Sequence, residues 1–233
     1  VAPVAPAAGA SSRGGAQRGL DGGLQSDFQL GCGARCYPLT LRDQATRFTL
    51  RCTAPAAPSL AATRRTIERA FAEFGLPHCI RSDNGEPFAG PGLAGLSQLN
   101  VTWLRLGIAV EQIAPGRPDQ NGSHEQFHRV LKAHTTRPPA ATFRAQQRRF
   151  DRFCREYNEE RPHQALDQRV PADHYLASTR PWPRRLPEVE YPGHWETRRV
   201  APNGRIQWDR HSIFLSRALV NETVGLEEVD DGI

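Results

Sequence analysis

The sequence predicts an α/β fold with three antiparallel strands at its start and two later strands, each preceded by a helix. Three observations predict it. Short apolar runs recur at Phe28 and Leu30, at 36–41 and at 47–52, separated by Gly or Asp turns. Leu60, Thr63, Ile67, Ala70, Phe71 and Phe74 recur at helical spacing. A second helical stripe lies between two further short runs, at 79–82 and 108–113.

Taken in order, residues 1–23 are dominated by Ala, Gly, Pro, Ser, Gln and Arg, too little apolar surface to offset the entropy of ordering. They are expected to be a disordered leader. The three strands follow from residue 24. Ser59 can cap the first helix, and Gly75 with Pro77 stops it. The strand 79–82 comes next. Leu93, Leu96, Leu99, Trp103, Leu104 and Leu106 mark the second helix, and 108–113 the fifth strand, before a loop spanning Pro115 and Pro118. Three strands, helix, strand, helix, strand is a ribonuclease-H-like order: a mixed five-stranded sheet with flanking helices.

Beyond the loop, helices are expected at 121–133 and 142–159, with a joint at Pro138-Pro139. Residues 179–190 are Pro-rich and read as a linker. Residues 191–233 hold four short alternating runs and turns such as Asn203-Gly204, which predict a small all-β module, truncated at its end. The domains expected are therefore a leader (1–23), a core (24–178), the linker and the β module.

Thirty Lys and Arg against twenty-five Asp and Glu give a net charge of +5, so a polyanion is a compatible partner. The five cysteines have neither CxxC pairing nor finger-type histidines nearby, as expected of reduced thiols. No apolar run approaches the roughly 18 residues of a membrane span, and residues 1–23 lack the apolar segment of a signal peptide, so a cytoplasmic protein is expected. The chain has no Met, which suggests an alternative start codon or a fragment.

Two acids stand out. Asp83, in Asp83-Asn84-Gly85, directly follows a predicted strand, where a carboxylate projects from the strand end; the same triplet is also ordinary turn chemistry. Glu125 lies early in a predicted helix with Arg129 and Lys132 at i+4 and i+7. That face can hold a cation beside a phosphate backbone, or be a solvated face with i,i+4 ion pairs. His124 and His128 flank Glu125, one residue before it and three after, and are not expected to be ligands. Arg148, Arg152 and Arg155 lie opposite Phe143, Phe150, Phe153 and Tyr157; the aromatics read as core, the arginines as a solvated or DNA-facing side.

Together these segments resemble the integrase-core transposases of bacterial insertion sequences. Ser82-Asp83-Asn84-Gly85 is similar to that family's second-aspartate motif, and the segment from Gly116-Arg117-Pro118 to Glu125-Gln126-Phe127 to its glutamate motif. Tyr157-Asn158-Glu159-Glu160-Arg161-Pro162-His163-Gln164-Ala165-Leu166, then Pro171 and Tyr175, is similar to the tail of its core. The resemblance covers roughly residues 24–233 and does not extend to the helix-turn-helix region that precedes such cores.

What the resemblance implies is an Asp-Asp-Glu site holding two Mg²⁺ ions, with Mn²⁺ as surrogate, that cleaves DNA 3′ ends and joins them to target DNA. Such chemistry needs in-line positioning and charge neutralisation, which hard cations on carboxylates supply. Asp83 and Glu125 would be two of the three acids. Asp27 supplies the first, as catalytic residue and metal ligand, if the first hairpin is four residues shorter than the family pattern; aligned back from Cys36 without a gap, that position falls at Gly23. Asp43 is a further acid nearby and reads as a turn residue. Arg129, Lys132, Arg161 and His163 are the DNA-binding candidates, although the Arg-Pro-His segment can equally lock the last helix onto the core. Transposon-end and target DNA are the implied partners, with a homo-oligomer assembled on them.

Three functions fit these residues: a transposase, a catalytically inactive transposase remnant that still binds DNA, and a ribonuclease-H-like nuclease unrelated to transposition. The last has no reason to keep the tail of the core or the β module.

Overall fold

The computed structural model describes residues 19–24, 26–83, 85–90, 95–112 and 122–227. The chain forms two compact units. The first contains residues up to Asn84 together with 108–182; the second contains 85–107 together with 183 onward.

The first unit is built on a five-stranded sheet of β1 (Gly19–Leu24), β4 (Leu39–Asp43), β5 (Thr49–Thr53), β6 (Cys79–Ser82) and β7 (Ala109–Gln112), in the spatial order β5-β4-β1-β6-β7. β1 pairs antiparallel with β4 and parallel with β6, while β7 adds in parallel beyond β6. This is the expected mixed sheet, but with a different first strand. The residues expected to start it form instead a short hairpin of β2 (Phe28–Gln29) and β3 (Arg35–Cys36). The central strand comes from Gly19-Leu20-Asp21-Gly22-Gly23-Leu24, most of which was expected to be leader. A strand laddered on both sides gains its hydrogen bonds from its neighbours, so its own low apolar content is a poor guide. Leu20 alone is anchored strongly, with no exposed surface.

Helix α1 (Leu60–Phe74) follows the expectation closely. The Ser59 hydroxyl accepts from the Ala62 N–H, and Ile67, Ala70 and Phe71 are buried. At the C-cap, Gly75 adopts φ 78°, and a Cβ there would lie 2.4 Å from the Ser178 carbonyl oxygen. That close approach makes glycine obligatory. The Leu76 N–H donates to the Arg180 carbonyl, and Trp182 packs 5.8 Å from Phe71. The start of the expected linker is thus docked on α1.

Helices α3 (Gly122–Thr135) and α4 (Phe143–Glu159) pack together. Phe127 and Leu131 of α3 meet Phe150, Phe153 and Tyr157 of α4 in one cluster with Leu30, Cys36 and Cys52, as the aromatic spacing of α4 predicts. Two amides on α4 had no signal in the sequence. Asn158 accepts from the Thr49 N–H and donates to the Thr49 carbonyl, while Gln147 accepts from the Ala54 N–H and donates to the Cys52 carbonyl. They satisfy the outer backbone of β5, an edge strand that would otherwise offer unpaired groups for aggregation.

In the second unit, α2 (Gln98–Arg105) opens on a capping box in which the Ser97 and Asn100 side chains satisfy each other's backbone N–H. Leu93 of the expected stripe lies outside the described residues. β8 (Glu196–Arg199) pairs with β11 (Thr223–Leu226), and β9 (Arg205–Trp208) with β10 (His211–Phe214), around Val200, Ile206 and Leu226. The β9–β10 hairpin turns through Asp209 and Arg210, both at positive φ; Asn203-Gly204 forms the turn leading into β9. Arg105 of α2 donates to the Pro187 carbonyl and pairs with Glu222, which ties 85–107 to the β strands of the same unit.

Candidate functional site

The last paired residues of β1 and β6 are Gly22 and Ser82, so Gly23 and Asp83 emerge side by side from neighbouring parallel strands. A Cβ built on Gly23 would lie 3.4 Å from Asp83 Oδ2 and 3.5 Å from His124 Nε2. The ends of β1 and β6 and the first turn of α3 therefore converge on one point, and the position facing Asp83 carries no side chain.

α3 turns His124, Phe127, Leu131 and Thr135 inward, a stripe at helical spacing. Glu125 is one residue, and about 100° of helix, away from His124. It is exposed, as is Arg129, while Lys132 donates to the Ser26 hydroxyl.

The inward side of α3 holds a cluster that was not anticipated. His124 Nε2 and His128 Nε2 are 2.9 Å apart, and Thr40 Oγ1 of β4 lies 3.0 Å from the first and 2.8 Å from the second. Measured against Glu125 these histidines have no ligand spacing; measured against each other they are four residues apart, which on a helix puts both rings on one face. Burial pushes the His124 imidazole well below its ordinary pKa, reinforced by His128 and Arg42. Burial, with Arg42 and Lys132, pushes His128 down to about 3. Both rings are neutral at physiological pH.

Asp27 sits outside this convergence. It lies past the end of β1, and its carboxylate is ion-paired with Arg35 at the β2–β3 hairpin. Gly23, where the ungapped alignment puts the first acid, is the β1 residue beside Asp83. Asp43 is a turn residue as expected, accepting from the Thr46 N–H at 2.8 Å and the Thr46 hydroxyl at 2.7 Å. Asp21, which sequence reasoning left in the leader, is a buried acid on β1 4.0 Å from the Arg42 guanidinium and 2.9 Å from the Gln44 amide. Burial raises its pKa against the pull of Arg42. Arg42, almost fully buried, also donates to Ser123 Oγ and lies 5.0 Å over the Phe127 ring, so it fastens α3 to the sheet.

In the tail of the core, Arg161 is exposed, but the His163 ring packs 4.6 Å from Tyr157 and its backbone bridges Arg169. His163 holds the end of α4 rather than facing outward. Arg148, Arg152 and Arg155 are exposed on α4.

Gly23 has no side chain to offer a donor, and Glu125 is exposed. Among the described residues no three of His, Cys, Asp and Glu are grouped to hold a metal ion. A separate cavity of about 620 Å³ lies in the second unit, where Arg105 and Glu222 of its lining are already paired. None of the described helices is long and apolar enough to cross a membrane.

Residues 106–171 match the family model of the integrase core domain, a span that includes α3, α4 and the Arg161-Pro162-His163 segment. Among solved structures, the chain is similar to the magnesium-bound catalytic core domain of HTLV-2 integrase in its trimeric form, at 13% identity and TM-score 0.53, covering 68% of this chain and 97% of that one. It is also similar to a chain of the simian T-cell lymphotropic virus intasome in complex with the PP2A regulatory subunit B56 gamma, at 16% identity and TM-score 0.57, covering 93% of this chain and 82% of that one. At these identities the likeness carries the fold. The sheet order and these structural neighbours give the chain a ribonuclease-H-like fold, with a match to the integrase core domain confined to residues 106–171.

Proposed function

We propose that this protein is a transposase-derived DNA-binding protein whose core does not perform metal-dependent 3′-end cleavage or strand transfer. One observation carries the reading: the position on β1 that faces Asp83 is Gly23. A two-ion phosphoryl-transfer site needs carboxylates on both sides of the ions, since positioning and charge neutralisation are nearly all that the protein contributes. The structurally similar HTLV-2 integrase core domain is in complex with magnesium; here the β1 position facing Asp83 is a glycine, and no step through Mg²⁺ is assigned. DNA binding survives this loss because it depends on cations rather than on the acids. Arg129 and the α4 row Arg148, Arg152 and Arg155 are exposed, and the net charge is +5. Assembly of several copies on DNA is part of this reading, by analogy with the trimeric core and the intasome.

The test compares Mn²⁺ binding by the natural chain and by Gly23→Asp. A Cβ at Gly23 meets its neighbours at ordinary contact distance, so the substitution fits. We expect weak, Asp83-independent Mn²⁺ binding in the natural chain and at least a ~10-fold gain in Gly23→Asp, with DNA binding at low salt in both. Stoichiometric Mn²⁺ binding by the natural chain that Asp83→Asn abolishes would overturn the proposal.

A further inference from the structure

We infer that His124, His128 and Thr40 form a site for a single borderline divalent cation of the Zn²⁺ class, distinct in donor chemistry from a carboxylate site for Mg²⁺. The inference does not depend on the loss of strand transfer. It starts from a triangle of polar atoms: His124 Nε2, His128 Nε2 and Thr40 Oγ1, with edges of 2.9, 3.0 and 2.8 Å.

Hydrogen bonding alone does not account for that triangle. A neutral imidazole nitrogen carries either one proton or one lone pair, so each Nε2 makes one good hydrogen bond. Thr40 can serve both rings, one as donor and one as acceptor, which leaves the 2.9 Å contact between the two nitrogens without a proton of its own. A cation resolves this, because each ring then directs a lone pair at the same centre. Two imidazole nitrogens bound tetrahedrally at about 2.0–2.1 Å lie about 3.3 Å apart, so the pair needs to open by only a few tenths of an ångström.

The surroundings agree with the donor chemistry. Imidazole ligates only as the free base, and both rings are held neutral. His124 and His128 occupy successive turns of one helix, which fixes their spacing before any ion arrives. Thr40 is locked on β4 with no exposed surface. The Asp83 carboxylate oxygen and His124 Nε2 lie 3.4 and 3.5 Å from where a Cβ on Gly23 would stand, so negative charge lies near the site. Arg42 is the opposing cation, and its charge is engaged by Asp21 and the Phe127 ring. Two histidines and a hydroxyl suit Zn²⁺, Co²⁺ or Ni²⁺ better than Mg²⁺ or Ca²⁺, which favour all-oxygen sets.

The test is a Co²⁺ and Zn²⁺ titration of the full chain, followed by visible absorption for Co²⁺ and by competition with a chromophoric chelator for Zn²⁺. We expect one ion per chain, no competition from a large excess of Mg²⁺, and affinity at least ~10-fold lower in His128→Gln. His134→Gln, at an exposed histidine on the same helix, should leave affinity unchanged. Since the buried His124 can be needed for folding, the half-buried His128 is the decisive position, with circular dichroism confirming that the variant is folded. Absence of binding by the natural chain, or equal affinity in folded His128→Gln, would overturn the inference.

Discussion

β1 and β6 are adjacent, parallel and central, yet one was nearly invisible in the sequence and the other was found residue for residue. β6 carries Cys79 and Ile80 between a helix stop and an Asp-Asn-Gly turn, so composition and punctuation agree. β1 has three glycines among its six residues and one strong anchor, Leu20, and follows a stretch of Ala, Gly and Pro. What makes it a strand is the pair of neighbours that ladder it on both sides. The same contrast recurs at the strand ends, where β6 delivers Asp83 and β1 delivers Gly23. A central strand is thus specified mainly by its context, and its backbone places its end whatever side chain stands there.

The largest effect should come from breaking the two strands in parallel. Leu20 and Ile80 are both without exposed surface, and truncation of either to Ala should cost about 2–5 kcal/mol, read from denaturant unfolding. Comparable losses would establish that β1 is as much part of the core as β6. A Leu20→Ala variant as stable as the natural chain would return residues 19–24 to the leader that their composition suggests.

A smaller effect concerns what occupies the end of β1. With His124 and His128 neutral in the folded chain, the unfolded chain takes up two more protons as the pH drops below about 6.5, the ordinary histidine value. Stability is therefore complete above that pH and falls as the pH is lowered toward about 3, where His128 itself titrates. Each ring contributes up to about 1.4 kcal/mol per pH unit. Unfolding midpoints at pH 7, 6 and 5 in the presence of chelator should decline, and less steeply in His128→Gln. A flat profile would mean that the rings take up protons in the folded chain as they do in the unfolded one, against the effect of burial, Arg42 and Lys132.

Much of this was legible beforehand because it rests on local rules. Ser59 and Gly75 bracket α1, Thr142 opens α4, and Phe150, Phe153 and Tyr157 announce a buried face through their spacing. What escaped depends on partners distant in sequence. Gln147 and Asn158 look like surface polar residues until β5 is placed beside them, and Asp21 looks like a loop acid until Arg42 is. The two histidines could have been found, since their i,i+4 spacing is visible in the sequence; comparing each with Glu125 instead of with the other concealed it.

The smallest expected effect separates Gly23 from Asp27, the two positions offered for the first acid. Asp27 pairs with Arg35 at the surface, where ion pairs contribute little. Asp27→Asn should therefore leave the unfolding midpoint essentially unchanged and leave Mn²⁺ binding of the Gly23→Asp chain intact. If Asp27→Asn instead removed the Mn²⁺ affinity gained in Gly23→Asp, the hairpin would have to swing Asp27 to the metal, away from Arg35. The end of β1 would then be a second choice of ligand rather than the vacated place of the first.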